Sequence, residues 1–136
     1  MENLGDARVL LWGAQRDDLD ALRERLEHWG LRVEGVNSFE ELRAAVRGRK
    51  VDLIVTRLCG CFQRPLDMLV WLQQTPSAPP VVVVTAAADV DLYLEAMRRG
   101  AFDSVGLPLN EQELLRIVSS ALEARHGAVT ARGTRN

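Results

Sequence analysis

No stretch of this sequence stays apolar long enough to cross a bilayer. Its hydrophobic runs are strand-sized, whereas a membrane helix needs roughly 20 apolar residues. The first eight residues carry no signal-peptide core, so the expected location is the cytoplasm, with no membrane partner. Cysteine is scarce: Cys59 and Cys61 cannot build a disulfide framework. With His28 and His126 isolated, they leave no second cluster to complete a zinc site. Neither sign of charge dominates, since 17 basic and 19 acidic side chains leave a net charge of −2. That balance gives no bulk attraction to nucleic acid. Lysine is nearly absent, with Lys50 alone among the basic residues. Coding preference explains this arginine bias as readily as function does.

What the sequence does have is alternation. The 136 residues amount to one domain, and short apolar runs exchange with helical stripes along nearly all of it. Val9 to Trp12 reads as a strand. Leu19, Leu22, Leu26 and Trp29 recur at helical spacing, opened by Asp17 or Asp18 and ended by Gly30. Leu31 to Val36 reads as a second strand. Ser38 and Glu41 have capping-box spacing ahead of a stripe through Phe39, Leu42 and Val46, closed by Gly48. Val51 to Thr56 is a third strand. A loop and a helical stripe through Leu69 and Leu72 follow, and Trp71 falls off that stripe. Val81 to Val84 is β-branched throughout, as suits a strand buried on both faces. A helix opened by Asp89 or Asp91 takes Val90, Tyr93, Leu94 and Met97 as its buried stripe and stops at Gly100. Phe102 to Gly106 is a fifth strand, and Asn110 caps a last helix carrying Leu114, Ile117, Val118, Ala121 and Leu122.

Five strands and five helices in strict alternation predict an α/β fold. The expected form is a (βα)5 doubly wound, five-stranded parallel sheet with right-handed crossovers. The expected boundaries are a short extension over 1–6, one domain over 7–125 and a polar, aperiodic, flexible tail over 126–136. About a dozen residues follow the last helical stripe, fewer than a helix-turn-helix needs, so direct contact with nucleic acid is not expected.

Arg57 stands out against this background. It ends the third apolar run, and in an open α/β sheet the functional crevice lies at the carboxyl ends of the strands. A fixed cation there restricts the chemistry available. Trp12 holds the equivalent place on the first run, where core packing accounts for it.

The chain resembles the receiver domain of two-component response regulators, over about residues 7 to 124. The most specific part is Val81-Val82-Val83-Val84-Thr85-Ala86, then Asp89-Val90-Asp91, then Glu95-Ala96-Met97-Arg98-Arg99-Gly100-Ala101-Phe102-Asp103. This segment looks like receivers attached to nitrogen-regulator-type transcription activators. The resemblance implies a flavodoxin-like strand order of 2-1-3-4-5 and magnesium-assisted phosphoryl transfer to an aspartate. Leu107-Pro108-Leu109 falls where receivers usually read Lys-Pro-Phe, often with the bond before the proline in cis.

Carried over residue by residue, the resemblance places the family's acidic pair on Gly13 and Ala14. The phosphoacceptor falls on Arg57, the switch hydroxyl on Thr85, the lysine on Leu107 and the switch aromatic on Ser104. Only Thr85 keeps the expected chemistry. Magnesium favours carboxylate oxygens, and a permanently protonated guanidinium is neither metal ligand nor nucleophile. The expectation is therefore a pseudo-receiver with no catalytic residue, metal or cofactor. It would act through protein contacts with a signalling or transcription component, independently of phosphorylation. In the family, the surface of the fourth helix, fifth strand and fifth helix commonly carries partner or dimer contacts. That implication makes Leu92, Glu95, Arg98, Arg99 and Asp103 a candidate interface, with Leu92 expected to be exposed. Arg57 itself is expected to pair with a backbone carbonyl or with Asp17 or Asp18, whose expected role is helix capping rather than metal binding. Two alternatives stand beside this reading. Arg57 and Thr85 can form a pocket for a small anionic ligand, or Cys59 and Cys61 can form a thiol redox sensor under the influence of Arg57 and Arg64.

Overall fold

A computed structural model describes residues 4–13, 17–58, 64–86 and 89–134; the side chains of 17, 18, 64, 65 and 126–134 fall outside that description. The elements follow one another as β1 (Arg8–Trp12), α1 (Asp17–His28), β2 (Arg32–Val36), α2 (Phe39–Gly48), β3 (Leu53–Arg57), α3 (Arg64–Gln73), β4 (Val81–Ala86), α4 (Val90–Arg98), β5 (Asp103–Leu107) and α5 (Glu111–Thr134). The five strands form one parallel sheet in the order β2-β1-β3-β4-β5. This is the predicted topology.

The three inner strands are buried along almost their whole length, while β2 and β5 at the edges mix buried and half-exposed positions. Helices on both faces explain this, because an inner parallel strand has no solvent side. Successive side chains then sort to opposite faces. Val9, Leu11, Leu53, Val55, Val82 and Val84 pack with Leu22 and Leu26 of α1 and Ile117 and Val118 of α5. Leu10, Trp12, Ile54, Val81 and Val83 pack on the other side with Leu42, Leu69, Leu72 and Ala96 of α2, α3 and α4. Two hydrophobic layers thus clamp the sheet, and Trp12 and Trp29, each 3 % exposed, are core residues of opposite layers.

Local signals in the sequence are realised with small shifts. Ser38 Oγ accepts from the Glu41 backbone N–H at 3.1 Å, the first half of the capping box. Glu41 reaches back one residue further than the motif requires, to the Asn37 N–H at 3.3 Å. Asn110 Oδ1 accepts from the Glu113 N–H at 2.9 Å and caps α5. Asp89 occupies the cap position of α4, yet its side chain makes no capping bond. Gly30 and Gly100 follow α1 and α4 with φ of 92° and 102°, the left-handed turn that ends a helix. The Leu107-Pro108 bond is cis.

One expectation is corrected. On α4 the buried side is Ala96, with Leu92 and Met97 packed against the core, while Val90 and Leu94 are 57 % and 43 % exposed. Six apolar residues in nine positions leave several stripes open, and the one used places the small Ala96 against the sheet, with Leu92 one turn behind it. Leu92 is therefore not the exposed leucine of this helix. The backbone of α5 runs as helix from Glu111 through Thr134. A helix already nucleated extends at one hydrogen bond per residue, without needing an apolar stripe of its own.

Candidate functional site

The carboxyl ends of β1, β3, β4 and β5 bring Gly13, Arg57, Thr85 and Leu107 to one edge of the sheet. Strand register fixes the alignment: Trp12 lies opposite Thr56, Arg57 opposite Val84, Thr85 opposite Gly106 and Ala86 opposite Leu107. Four of the five sequence-predicted pocket positions are thus neighbours; the fifth, Ala14, lies outside the described residues. Cys59, Cys61 and the side chains of Asp17, Asp18 and Arg64 also lie outside them.

At this edge Gly13 has φ +88°, and a Cβ built on it would stand 3.3 Å from Leu19 Cδ1. Residues with side chains rarely adopt that backbone, so the chain here has the shape of a glycine turn. The Arg57 guanidinium turns back on its own strand end, where Nη1 donates to the Leu58 carbonyl at 3.2 Å. A backbone carbonyl is one of the partners anticipated for Arg57; the others, Asp17 and Asp18, have side chains outside the described residues. The chain is tied across the sheet at Leu58, whose N–H donates to the Val84 carbonyl at 2.9 Å and whose side chain is buried. Thr85 is 6 % exposed at the end of β4. Leu107 is half-buried against the layer formed with α1 and α5, so its side chain adds apolar packing where the resemblance expects a charge.

These residues do not suit a magnesium ion. Gly13 has no side-chain oxygen, Arg57 is cationic, and the described strand ends carry no carboxylate, the donor this hard cation favours. Among the described residues, no three His, Cys, Asp or Glu side chains are grouped to hold a metal.

The candidate interface is partly assembled. Glu95 lies 2.7 Å from Arg99 Nε and 3.6 Å from Arg98 Nη1, so three of its members form one ion-pair cluster at the end of α4. The Arg99 hydrogen bond, joined by the charges of Arg99 and Arg98, holds the Glu95 carboxyl below its ordinary range despite an opposing desolvation effect. Asp103 folds onto its own chain, its Oδ1 accepting from the Ser104 N–H at 2.7 Å. Ser104 is half-buried, opposite Val83. Leu92 points to the core, and Val90 and Leu94 are the exposed apolar residues of this helix.

A second constellation went unread in the sequence. Phe39 stacks on Trp12 with ring centroids 6.0 Å apart and meets Trp71 edge-on at 6.0 Å. Arg43 lies 4.9 Å over the Phe39 ring and Arg47 lies 5.6 Å over that of Trp71. Phe39, Arg43 and Arg47 follow at four-residue spacing on α2, so the signal was present as one polar–aromatic helix face. Two cavities open at the opposite end of the sheet from Arg57, beside Arg49.

Comparison with known proteins bears on the same geometry. Residues 14–119 match the response regulator receiver domain family. The phosphoglycerate transport system transcriptional regulatory protein PgtA of Salmonella typhimurium is 26 % identical over 129 residues, covering 93 % of this chain and 31 % of that protein. The transcriptional regulatory protein ZraR of Escherichia coli is 31 % identical over 108 residues, covering 77 % of this chain and 24 % of that one. The chain therefore spans less than a third of the length of either relative. Among solved structures, the signal receiver domain of an HD domain-containing protein from Pseudomonas fluorescens superposes with a TM-score of 0.77 at 21 % identity, covering 92 % of this chain and 93 % of that one. That last likeness speaks to the fold.

Proposed function

The chain belongs to the response regulator receiver domain family of signal-transduction modules, and we propose that this member signals through protein contacts without aspartyl phosphorylation or bound magnesium. The observation that carries the reading is the end of β3. There the acceptor position holds Arg57, whose guanidinium is engaged by the Leu58 carbonyl, beside a Gly13 turn with φ of +88° that supplies no carboxylate of its own. A receiver needs an acceptor, a metal cradle and a charge partner for the phosphoryl group. Arg57, Gly13 with Ala14, and Leu107 supply none of these chemistries. With a serine at 104 in place of an aromatic, the usual relay from Thr85 to the surface has no ring to move.

The partner in this reading is a protein component of signalling or transcription, in keeping with relatives that are transcriptional regulators. The contact surface includes the outer side of α4, where Val90 and Leu94 stand exposed beside the Glu95–Arg98–Arg99 cluster. The same surface can pair two copies of the chain. Such a module works in the cytoplasm, and no helix among the described residues is long and apolar enough to cross a membrane.

Incubation with magnesium and acetyl phosphate, followed by intact-mass measurement, tests the central claim. The expected result is no phosphoryl adduct and no stabilisation by a beryllofluoride mimic. A stoichiometric acyl-phosphate adduct, labile to hydroxylamine, overturns it.

A further inference from the structure

At the amino end of β3, on the side of the sheet away from Arg57, a cleft of about 320 Å³ opens between the carboxyl ends of α2 and α3 and the side chain of Arg125 on α5. We propose that this cleft binds a small amphiphilic anion, a carboxylate or phosphate carried on an apolar body. The proposal stands apart from the strand-end reading above and does not depend on it.

Arg47, Arg49 and Arg125 line the cleft, and Val46, Val51 and Pro79 give it an apolar floor. No carboxylate is among the described residues lining it. A ligand cleft is expected to combine an apolar lining with a few convergent polar groups, in a volume of about 300–1,000 Å³.

Each guanidinium is held in place by a neighbouring group, two of them from outside the cleft and Arg125 from its wall. Arg47 lies 5.6 Å over the Trp71 ring. Arg49 makes paired hydrogen bonds to Glu34 at 2.8 and 3.0 Å. Arg125 donates to the Ser77 carbonyl at 2.6 Å. Five N–H donors on each guanidinium mean that such contacts orient the group without saturating it. Orientation before binding lowers the ordering cost a ligand must overcome. Planar guanidiniums also match the geometry of carboxylate and phosphate oxygens.

The neighbouring cavity sharpens the choice by contrast. It is larger, about 480 Å³, shares Arg49, and is also lined by Arg8, Arg32 and Lys50. Its lining includes Asp6 and Asp52 as well. Asp6 lies 3.4 Å from Arg32. Asp52, 4 % exposed, accepts from the Arg8 N–H at 3.0 Å and lies 3.9 Å from Lys50. Arg32 and Lys50 already face carboxylates inside their own cavity, whereas in the smaller cleft Arg49 is paired with Glu34 from beyond the lining and no carboxylate lies among the described residues of its walls.

The test is a titration of the full chain at low ionic strength with phenyl phosphate, benzoate and inorganic phosphate, followed by calorimetry and backbone-amide NMR. Saturable binding of phenyl phosphate or benzoate is expected, with shifts centred on residues 46–51 and 75–79. The preferred ligand should bind about tenfold tighter than inorganic phosphate, because the apolar floor contributes. Arg47→Gln and Arg125→Gln should each weaken it about tenfold through loss of a charged hydrogen bond, while Arg32→Gln in the neighbouring cavity leaves it within twofold. Absence of saturation, equal affinity for inorganic phosphate, or equal weakening by Arg32→Gln overturns the proposal. All three substitutions lie away from the packed core, and melting temperatures near that of the parent confirm that each variant is folded.

Discussion

Gly13→Asp restores a carboxylate at a position where the receiver family carries one, and the backbone predicts that it will fail. Gly13 has φ +88°, and a Cβ there stands 3.3 Å from Leu19 Cδ1. Holding a residue with a side chain in left-handed conformation costs about 1–2 kcal/mol, with Asp toward the lower end because its short side chain can hydrogen-bond locally. The Leu19 contact adds to that cost, because Leu19, on α1, is fully buried against the sheet and has little room to yield. For a domain of this size each kcal/mol corresponds to about 3–5 °C, so the melting temperature should fall by roughly 3–10 °C. Thermal unfolding followed by circular dichroism, with and without magnesium, reads the effect. Gly48→Ala is the matched control. Gly48 lies in the last turn of α2, where an added Cβ would meet nothing within 4 Å and φ is not positive, so alanine should be neutral or stabilise by up to about 1 kcal/mol. If Gly13→Asp melts with the parent, the argument from backbone shape is wrong. If magnesium stabilises the variant, a metal cradle survives at this edge and the proposal of metal independence weakens with it.

Trp12→Ala should cost about 3–5 kcal/mol in denaturant unfolding, because it empties a fully packed site and removes the stacking partner of Phe39; a loss under about 1 kcal/mol would contradict the packing described. Leu94→Glu should leave stability unchanged while weakening self-association or partner capture. Leu92→Glu should instead destabilise the fold, since Leu92 packs on the core; equal stability of the two variants would mean that the α4 register is misassigned. Glu95 titrates below its ordinary range, chiefly through its hydrogen bond to Arg99. A depressed carboxyl contributes stability above its unfolded-state pKa and loses it as pH falls through the folded one. Glu95→Gln should therefore reduce stability slightly at neutral pH and not at all below the carboxylate range. A carboxyl-carbon NMR titration of Glu95 with a midpoint at or above the ordinary value would refute the pairing.

The sheet was legible because burial on both faces leaves a simple mark. Val81 to Val84 could hardly be anything but an inner strand, and Gly30 and Gly100 punctuate α1 and α4 where the backbone turns left-handed. The helix α4 was less legible, since apolar residues at 90, 92, 93, 94, 96 and 97 fit more than one stripe and only contact with the sheet selects Ala96. At the strand ends the identities of Gly13, Arg57, Thr85 and Leu107 could be placed from the sequence, but not their conformations. That Arg57 would turn to the Leu58 carbonyl rather than outward depends on tertiary geometry. The basic cleft escaped notice because Arg47 and Arg49 lie far along the chain from Arg125, and sequence spacing carries no trace of a convergence made by the fold.

The aromatic chain Trp12–Phe39–Trp71 has an optical consequence. Trp29 is the one tryptophan of the opposite layer, so the three indoles divide into a pair beside α2 and α3 and a single residue beside α1. Keeping Trp29 and replacing the pair, or the reverse, yields proteins whose emission reports one side of the sheet at a time. With Arg47 resting over Trp71, quenching of that indole gives a label-free signal for any occupant that draws the guanidinium away, and Trp12, next to Gly13, gives a separate signal for events at the strand ends.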